Sequence, residues 1–353
     1  MYHAAFISVV PSPYQRDLFH ALSLHPQVHL RVFYLEAASP DSPWPQKPLA
    51  PYEEILRGFW FAIGSARTHV NWPLPNPGDF DIVVMNTLMS LTGQWLMRAR
   101  LRGRPWIFWG ERLGRGGALH RRLASVLHRA TGIASIGSFA ETDYRERFPE
   151  PRHFCIPYHC DLDPFLAAPR RSRADGNVVF LFCGQMIARK GVDVLLEAFS
   201  SLDENARLLL AGREAELPAL LAAVPPSVRE RIVYAGFQPP EELPRFFAQA
   251  DVFILPSRYD GWGVVVNQAI GAGLPVICSD MVGAGHDLVD DGVNGLKFRA
   301  GDVASLASAM QRFLSTPESI DKWGAASREK AREYSPAAGA AKWVDAFRAV
   351  LGR

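Results

Sequence analysis

Cysteine is scarce in this chain: four residues in 353, at positions 155, 160, 183 and 278, and no two are set at the Cys-x-x-Cys spacing of zinc-binding thiolate pairs. A disulfide framework and a structural zinc site are therefore not expected, and a reducing compartment fits. Cys183 and Cys278 instead end apolar runs, where a small buried thiol is an ordinary occupant. Excess charge is also missing. Lys and Arg total 38 against 36 Asp and Glu, a formal net charge of +2, which argues against a dedicated nucleic-acid binder. No apolar run is long enough to span a bilayer. The first, residues 4–10, has no basic preamble and reads as a core strand rather than a signal peptide, so a cytoplasmic protein is expected. No Gly-x-Gly-x-x-Gly follows that strand, which disfavours a simple dinucleotide-dependent dehydrogenase. Neither a Ser-His-Asp set nor a close carboxylate pair is evident.

What the chain does have is apolar strand material: 48% of its residues are hydrophobic, ample for two cores. Short apolar runs at 4–10, 30–35, 80–85, 105–109 and 132–136 alternate with helical stretches, and a second series follows at 178–183, 207–211, 231–235, 252–255 and 275–278. Continuous apolar strands separated by helices imply an α/β architecture of parallel sheets covered on both faces. The expected division is a first domain over 1–163, a polar, Arg-rich linker over 164–176, a second domain over 177–335, and a terminal helix over 336–353 carrying Trp343. Residues 38–77 stand apart. They are dense in Pro40, Pro43, Pro45, Pro48, Pro51, Pro73, Pro75 and Pro77, with Trp44, Trp60 and Trp72, and read as a long, poorly regular insertion with either an acceptor-side or a structural role.

Two stretches carry chemistry. After the strand at 252–255 comes a turn with Asp260, Gly261, Trp262, Gly263 and Val264, and a helix opens near Gly263 with Gln268 about a turn and a half in. Unpaired N–H groups and the positive dipole end of such a helix suit a diphosphate. Earlier, the strand at 178–183 runs through Gly184 to Arg189 and Lys190, two cations that fit two phosphates, one as a fork and one as a point charge.

These residues resemble the family-4 glycosyltransferases, retaining enzymes of the GT-B fold. The pattern is an acidic residue, Gly, aromatic, Gly and, after a fixed gap, a second acid, Ala and Gly-x-Pro-Val; here it reads Asp260, Gly261, Trp262, Gly263, Gln268, Ala269 and Gly273-Leu274-Pro275-Val276. Further marks, Lys190-Gly191, Ala211-Gly212, Gly236, Ala250-Asp251, Gly283 to Asp287 and Asn294-Gly295, confine the close resemblance to the C-terminal half. Three positions depart: Asp260 replaces Glu, Gln268 replaces Glu, and Gln185 stands where Arg is usual. A Gln offers one acceptor oxygen and an NH₂ that only donates, so ribose binding would weaken by about 1–3 kcal/mol. The resemblance implies two Rossmann-like, doubly wound domains facing across a cleft, with the last helix crossing back to the first. It implies transfer of a sugar from a nucleoside diphosphate sugar to an acceptor hydroxyl with retained configuration. Other than the donor no cofactor is implied, and UDP-sugars lead on family frequency. Asp260, Arg189, Lys190 and Glu111 are the implied catalytic residues. Gly184, Gly261, Trp262, Gly263, Val264, Gln268, Phe237, Ser12 and Arg16 are the implied donor-binding ones. The other reading is a non-catalytic nucleotide-sugar-binding partner with a degenerate site.

Lesser candidates have plainer readings. Asp161 and Asp163 have Asp-x-Asp spacing but precede a linker, so no metal is expected; His159 is read as structural; Asp287 serves either the site or a helix start. Arg98, Arg100, Arg102, Arg104, Arg112, Arg115, Arg121, Arg122 and Arg129 form a basic cluster. It reads either as a solvated helical face or as a contact for a membrane's inner face or a phosphate-bearing acceptor.

Overall fold

The computed structural model describes residues 1–39, 47–63, 66–114 and 116–353, and its chain divides into two compact units, Met1–Cys160 with Pro336–Arg353, and Asp161–Ser335. In the first unit seven strands form one parallel sheet: β1 Tyr2–Ser8, β2 Val28–Tyr34, β3 Glu53–Ile55, β6 Ile82–Met85, β7 Trp106–Gly110, β8 Gly132–Ser135 and β9 Arg152–Cys155. They lie in the order β3-β2-β1-β6-β7-β8-β9. All seven residues of β1 except His3 are buried, as are all of β6, β7 and β8, the signature of a sheet covered on both faces. The helix Pro336–Leu351 belongs to this unit. Its Trp343 is fully buried and stands edge-on to Phe6 at 5.0 Å and Trp109 at 5.5 Å between ring centroids. Tyr2 Oη donates to the Arg353 carbonyl and Arg152 Nη1 to that of Ala349, each at 2.6 Å.

The segment expected to be irregular holds three strands among its described residues. β3 joins the sheet edge beside β2, and β4 Gly58–Ile63 pairs antiparallel with β5 Ala66–Asn71. Proline did not prevent this because no proline lies inside those strands; Pro73, Pro75 and Pro77 fall after β5. Pro40, Pro43, Trp44 and Pro45 lie outside the described residues.

The second unit holds a six-stranded parallel sheet of β10 Val178–Cys183, β11 Ala206–Ala211, β12 Ile232–Tyr234, β13 Val252–Leu255, β14 Val276–Ser279 and β15 Gly295–Phe298, ordered β12-β11-β10-β13-β14-β15. Residues 164–176, expected as a linker, are instead fastened to this unit. Arg171 Nη1 donates to Asp251 Oδ2 at 2.5 Å, Arg170 Nη1 donates to the Gly273 carbonyl at 2.9 Å, and Arg173 pairs with Asp321. Asp251 is fully buried and also accepts from Val179 N–H at 2.9 Å. Its arginine partner is therefore what permits a carboxylate there, and the Arg-rich composition that suggested a linker is explained by this anchoring.

His159 has the structural role expected of it. It is wholly buried, its Nδ1 lies 2.8 Å from the Pro157 carbonyl, and Gly339 packs so closely that a Cβ there would come 2.7 Å from the His159 Cβ. Burial depresses its pKa from 6.5 to about 4, the Pro157 carbonyl opposing the shift and Lys342 adding to it. Between those values the unfolded chain binds the proton and the folded chain does not, so stability falls as pH drops through that window. His159→Gln is expected to remove about 2–3 kcal/mol of the stability lost between pH 7 and 4.5. Urea unfolding at both pH values checks this; equal acid sensitivity of both proteins would contradict it.

Candidate nucleotide-sugar site

β10 and β13 are hydrogen-bonded neighbours, yet the chain leaves β10 toward β11 on one side and leaves β13 toward β14 on the other. Their carboxyl ends therefore border a topological switch point, the place in an open α/β sheet where the connections diverge and leave a crevice. Both chemical stretches of the sequence emerge there. Lys190, in the short turn Ala188–Lys190 after β10, donates through Nζ to Asp260 Oδ2 at 2.5 Å. Both side chains are largely buried, at 15% and 11% exposure. The exposed Arg189 donates to the Tyr259 carbonyl at 3.1 Å, and its own carbonyl accepts from Arg258 N–H at 2.8 Å.

Glycine makes this approach possible. Gly191 has φ +71°, and a Cβ on it would lie 2.1 Å from the Pro256 carbonyl oxygen, so a larger residue would push the two loops apart. Gly263 has φ +89° and sits two residues before the helix Val265–Gly271, where a Cβ would come 3.4 Å from Asp260 Oδ2. The Asp260 loop is fixed from below: Asp260 N–H donates to the Met281 carbonyl at 3.0 Å, while Gly283 and Ala284 N–H groups donate to the carbonyls of Asp260 and Trp262 at 3.0 and 2.7 Å. Gln268 lies in the helix, and its Oε1 is buried with no hydrogen-bond partner among the described residues.

Other expected residues fall into two groups. Gly184 follows β10, its N–H donating to the Ala211 carbonyl, and Gly212 N–H donates in turn to the Gly236 carbonyl, so the loops after β10, β11 and β12 run side by side. Phe237 is exposed on the last of these. Gly261 and Val264 lie in the Asp260 turn. Trp262 was expected to bind the donor, but its ring is fully buried and its indole N–H donates to Asn267 Oδ1 at 2.8 Å, so that side chain is not presented to a ligand. It braces the turn from inside. Asp287 lies inside the helix Gly283–Leu288, not at its start. Cys183 and Cys278 are buried thiols, each pushed up to about 12 by burial.

Three expected residues belong to the first unit. Arg16 is a correction, because its guanidinium is engaged by Glu53, Nε to Oε1 at 2.8 Å and Nη2 to Oε2 at 2.6 Å, with Nη2 also donating to the Pro48 carbonyl. Tyr34 Oη donates to the same carboxylate at 2.7 Å. Ser12, the residue before the helix Pro13–Leu24, has an enclosed hydroxyl with no hydrogen-bond partner among the described residues. Glu111 follows β7 and is exposed; burial, then its charge, raises the Tyr158 phenol well above its usual pKa. Asp161 Oδ1 accepts from Asp163 N–H at 3.0 Å, an ordinary turn at a helix start. Arg115 lies outside the described residues. The sequence reading missed the Arg258–Asp193 fork, at 2.7 and 2.6 Å, which ties the Asp260 loop to the helix Val192–Ser200. Its only signal was an acid in the first turn after Gly191.

Residues 177–316 match the family model for glycosyl transferases group 1. The second unit carries a glycosyl transferases group 1 domain. Across 150 residues, 41% of this chain and 38% of the relative, the sequence is 28% identical to alpha-D-kanosaminyltransferase of Streptomyces kanamyceticus. The chain spans less than two thirds of the length of the curated relatives it matches. In fold, the whole chain is similar to sucrose-phosphate synthase of Thermosynechococcus elongatus (TM-score 0.77, 20% identity, all of both chains). It is similar also to Anabaena HepE in complex with UDP (TM-score 0.75, 15% identity, 98% of this chain and all of that one). The architecture is GT-B, two Rossmann-like α/β domains with parallel sheets, the group 1 domain being the second.

The Lys190–Asp260 pair is a testable support of this domain. Lys190→Met leaves a buried carboxylate uncompensated and is expected to lower stability by about 3–5 kcal/mol, whereas adding Asp260→Asn restores part of the loss. Urea unfolding of the two single variants and the double variant measures the coupling; strictly additive losses would show that the pair contributes none.

Proposed function

We propose that the protein is a retaining, metal-independent glycosyltransferase that moves a sugar from a nucleoside diphosphate sugar to an acceptor hydroxyl. The observation that carries this reading is the meeting of Lys190 and Asp260 at the switch point of the group 1 domain, beside a helix whose Gln268 holds a buried acceptor oxygen without a partner. A diphosphate placed there would draw Lys190 from Asp260, leaving the carboxylate to accept from a sugar hydroxyl. Arg189, with an exposed side chain, would take the second phosphate. As the bond between sugar and diphosphate breaks, negative charge grows on the leaving phosphate, and Lys190, Arg189 and the N–H groups entering the helix Val265–Gly271 would stabilise it. The departing phosphate would accept the acceptor's proton on the same face, so no separate general base is required. Gln268 Oε1 would accept from a ribose hydroxyl, and Phe237 would offer a face to the base. Likeness to a protein solved with UDP favours a UDP-sugar.

Thermal unfolding with UDP, GDP, ADP, TDP and CMP tests the donor site, each variant being read against its own unliganded midpoint. A ligand at a hundred times its dissociation constant adds about 2.7 kcal/mol. The expected result is a shift selective for one nucleoside diphosphate and lost in Lys190→Met; no shift with any nucleotide would overturn the reading. Gln268→Glu should bind that nucleotide roughly 5–150-fold more tightly, while the unliganded variant is less stable because a carboxylate replaces a buried amide. Titration calorimetry reads the first effect and urea unfolding the second.

A further inference from the structure

We propose that the β4–β5 hairpin and the helix beside it form a docking surface for an anionic lipid bilayer, an inference independent of the glycosyl-transfer reading. In the antiparallel pair Phe59 stands opposite Val70 and Phe61 opposite Thr68, so these four share one face. Trp72, whose N–H extends the ladder to the Arg57 carbonyl, follows Thr68 and Val70 at the same alternation. Thr68 Oγ1 accepts from Leu91 N–H at 3.0 Å and donates to the Met89 carbonyl, so this face borders the helix Leu91–Trp95. Phe59 (63% exposed), Phe61, Trp72 (70%), Leu91 and Trp95 all reach solvent. Five large apolar side chains gathered on one side of a unit are unusual for a surface in contact only with water.

Charge selects the occupant. The residues that follow Trp95 include Arg98 and Arg100, and the next helix carries Arg121 and Arg122, with no carboxylate on either element. Arg100 lies over the Trp95 ring at 5.4 Å. Arg98 Nη2 donates to the Arg122 carbonyl at 2.7 Å, which holds the next helix, Ala118–Ala124, against this element with Arg121, Arg122 and Leu119 exposed on it. Tryptophan and phenylalanine flanked by arginine match the boundary between acyl chains and anionic headgroups, where ring edges stay hydrated and guanidinium groups meet phosphates. A protein partner would match the aromatics but would need a comparably acidic face to meet the arginines.

Co-sedimentation with vesicles of phosphatidylcholine, with and without phosphatidylglycerol, tests this on the full chain. Binding is expected only with phosphatidylglycerol, weakening as salt rises. Phe59→Ser/Phe61→Ser and Arg121→Gln/Arg122→Gln should each reduce the bound fraction about tenfold with unfolding midpoints unchanged, since all four residues are exposed. Absence of binding, or binding that Phe59→Ser/Phe61→Ser leaves intact, overturns the proposal. So does concentration-dependent dimerisation by light scattering that this variant abolishes, which would assign the open edge of β4 to a second copy of the chain.

Discussion

The second unit depends on one constraint: β10 and β13 lie side by side while the chain departs from them in opposite directions. That divergence brings two loops from distant parts of the sequence to one point, and an ion pair with little solvent around it holds them there. Opposed charges at this distance in a partly buried setting are strongly coupled, so neither Lys190 nor Asp260 can be understood alone. The surrounding contacts have the same purpose. Gly191 admits Pro256, the Arg258–Asp193 fork clamps the neighbouring turn, and three backbone hydrogen bonds to residues 281–284 fix the loop from beneath. A rigid scaffold with polar groups on its loops suits a site that must recognise charge by position.

The first unit is held by different means. Its centre is an aromatic cluster of Phe6, Phe19, Trp109 and Trp343, with ring centroids 5.0 to 6.5 Å apart in mostly edge-on contacts. Trp343 comes from the helix Pro336–Leu351, so the first sheet's core is complete only when that helix has docked. Gly339 allows that helix to lie against His159 without a side chain between them, and the enclosed imidazole then remains neutral across the physiological range.

The sequence made the second unit more legible than the first because its signals were local. Asp260, Gly263 and Lys190-Gly191 are defined by spacing along the chain, and the positive φ at Gly191 and Gly263 favours glycine there. Trp262 was expected to bind the donor, but sequence places an aromatic in a turn without saying which side packs, and its ring is buried. Arg16 was mistaken for a ligand-facing cation because its partner, Glu53, lies 37 residues away and no periodicity links them. The Arg-rich stretch at 164–176 failed for the same reason: Asp251, which needs Arg171, is 80 residues distant. In residues 38–77, proline density obscured three strands because composition averages over a window whereas strand formation depends on where each proline falls.

Gln268 occupies a position where the stability of the domain disfavours a charge. Asp260 is already matched one-to-one by Lys190 within the domain, so a second carboxylate on the adjoining helix would not find Lys190 free to neutralise it. An amide whose oxygen is buried without a partner costs about 1–3 kcal/mol, far less than an uncompensated carboxylate in the same place. Glutamine therefore leaves the domain stable by itself while keeping one acceptor oxygen directed inward. A glutamate would gain more from donors supplied by a ligand, but it would burden the domain whenever none was present.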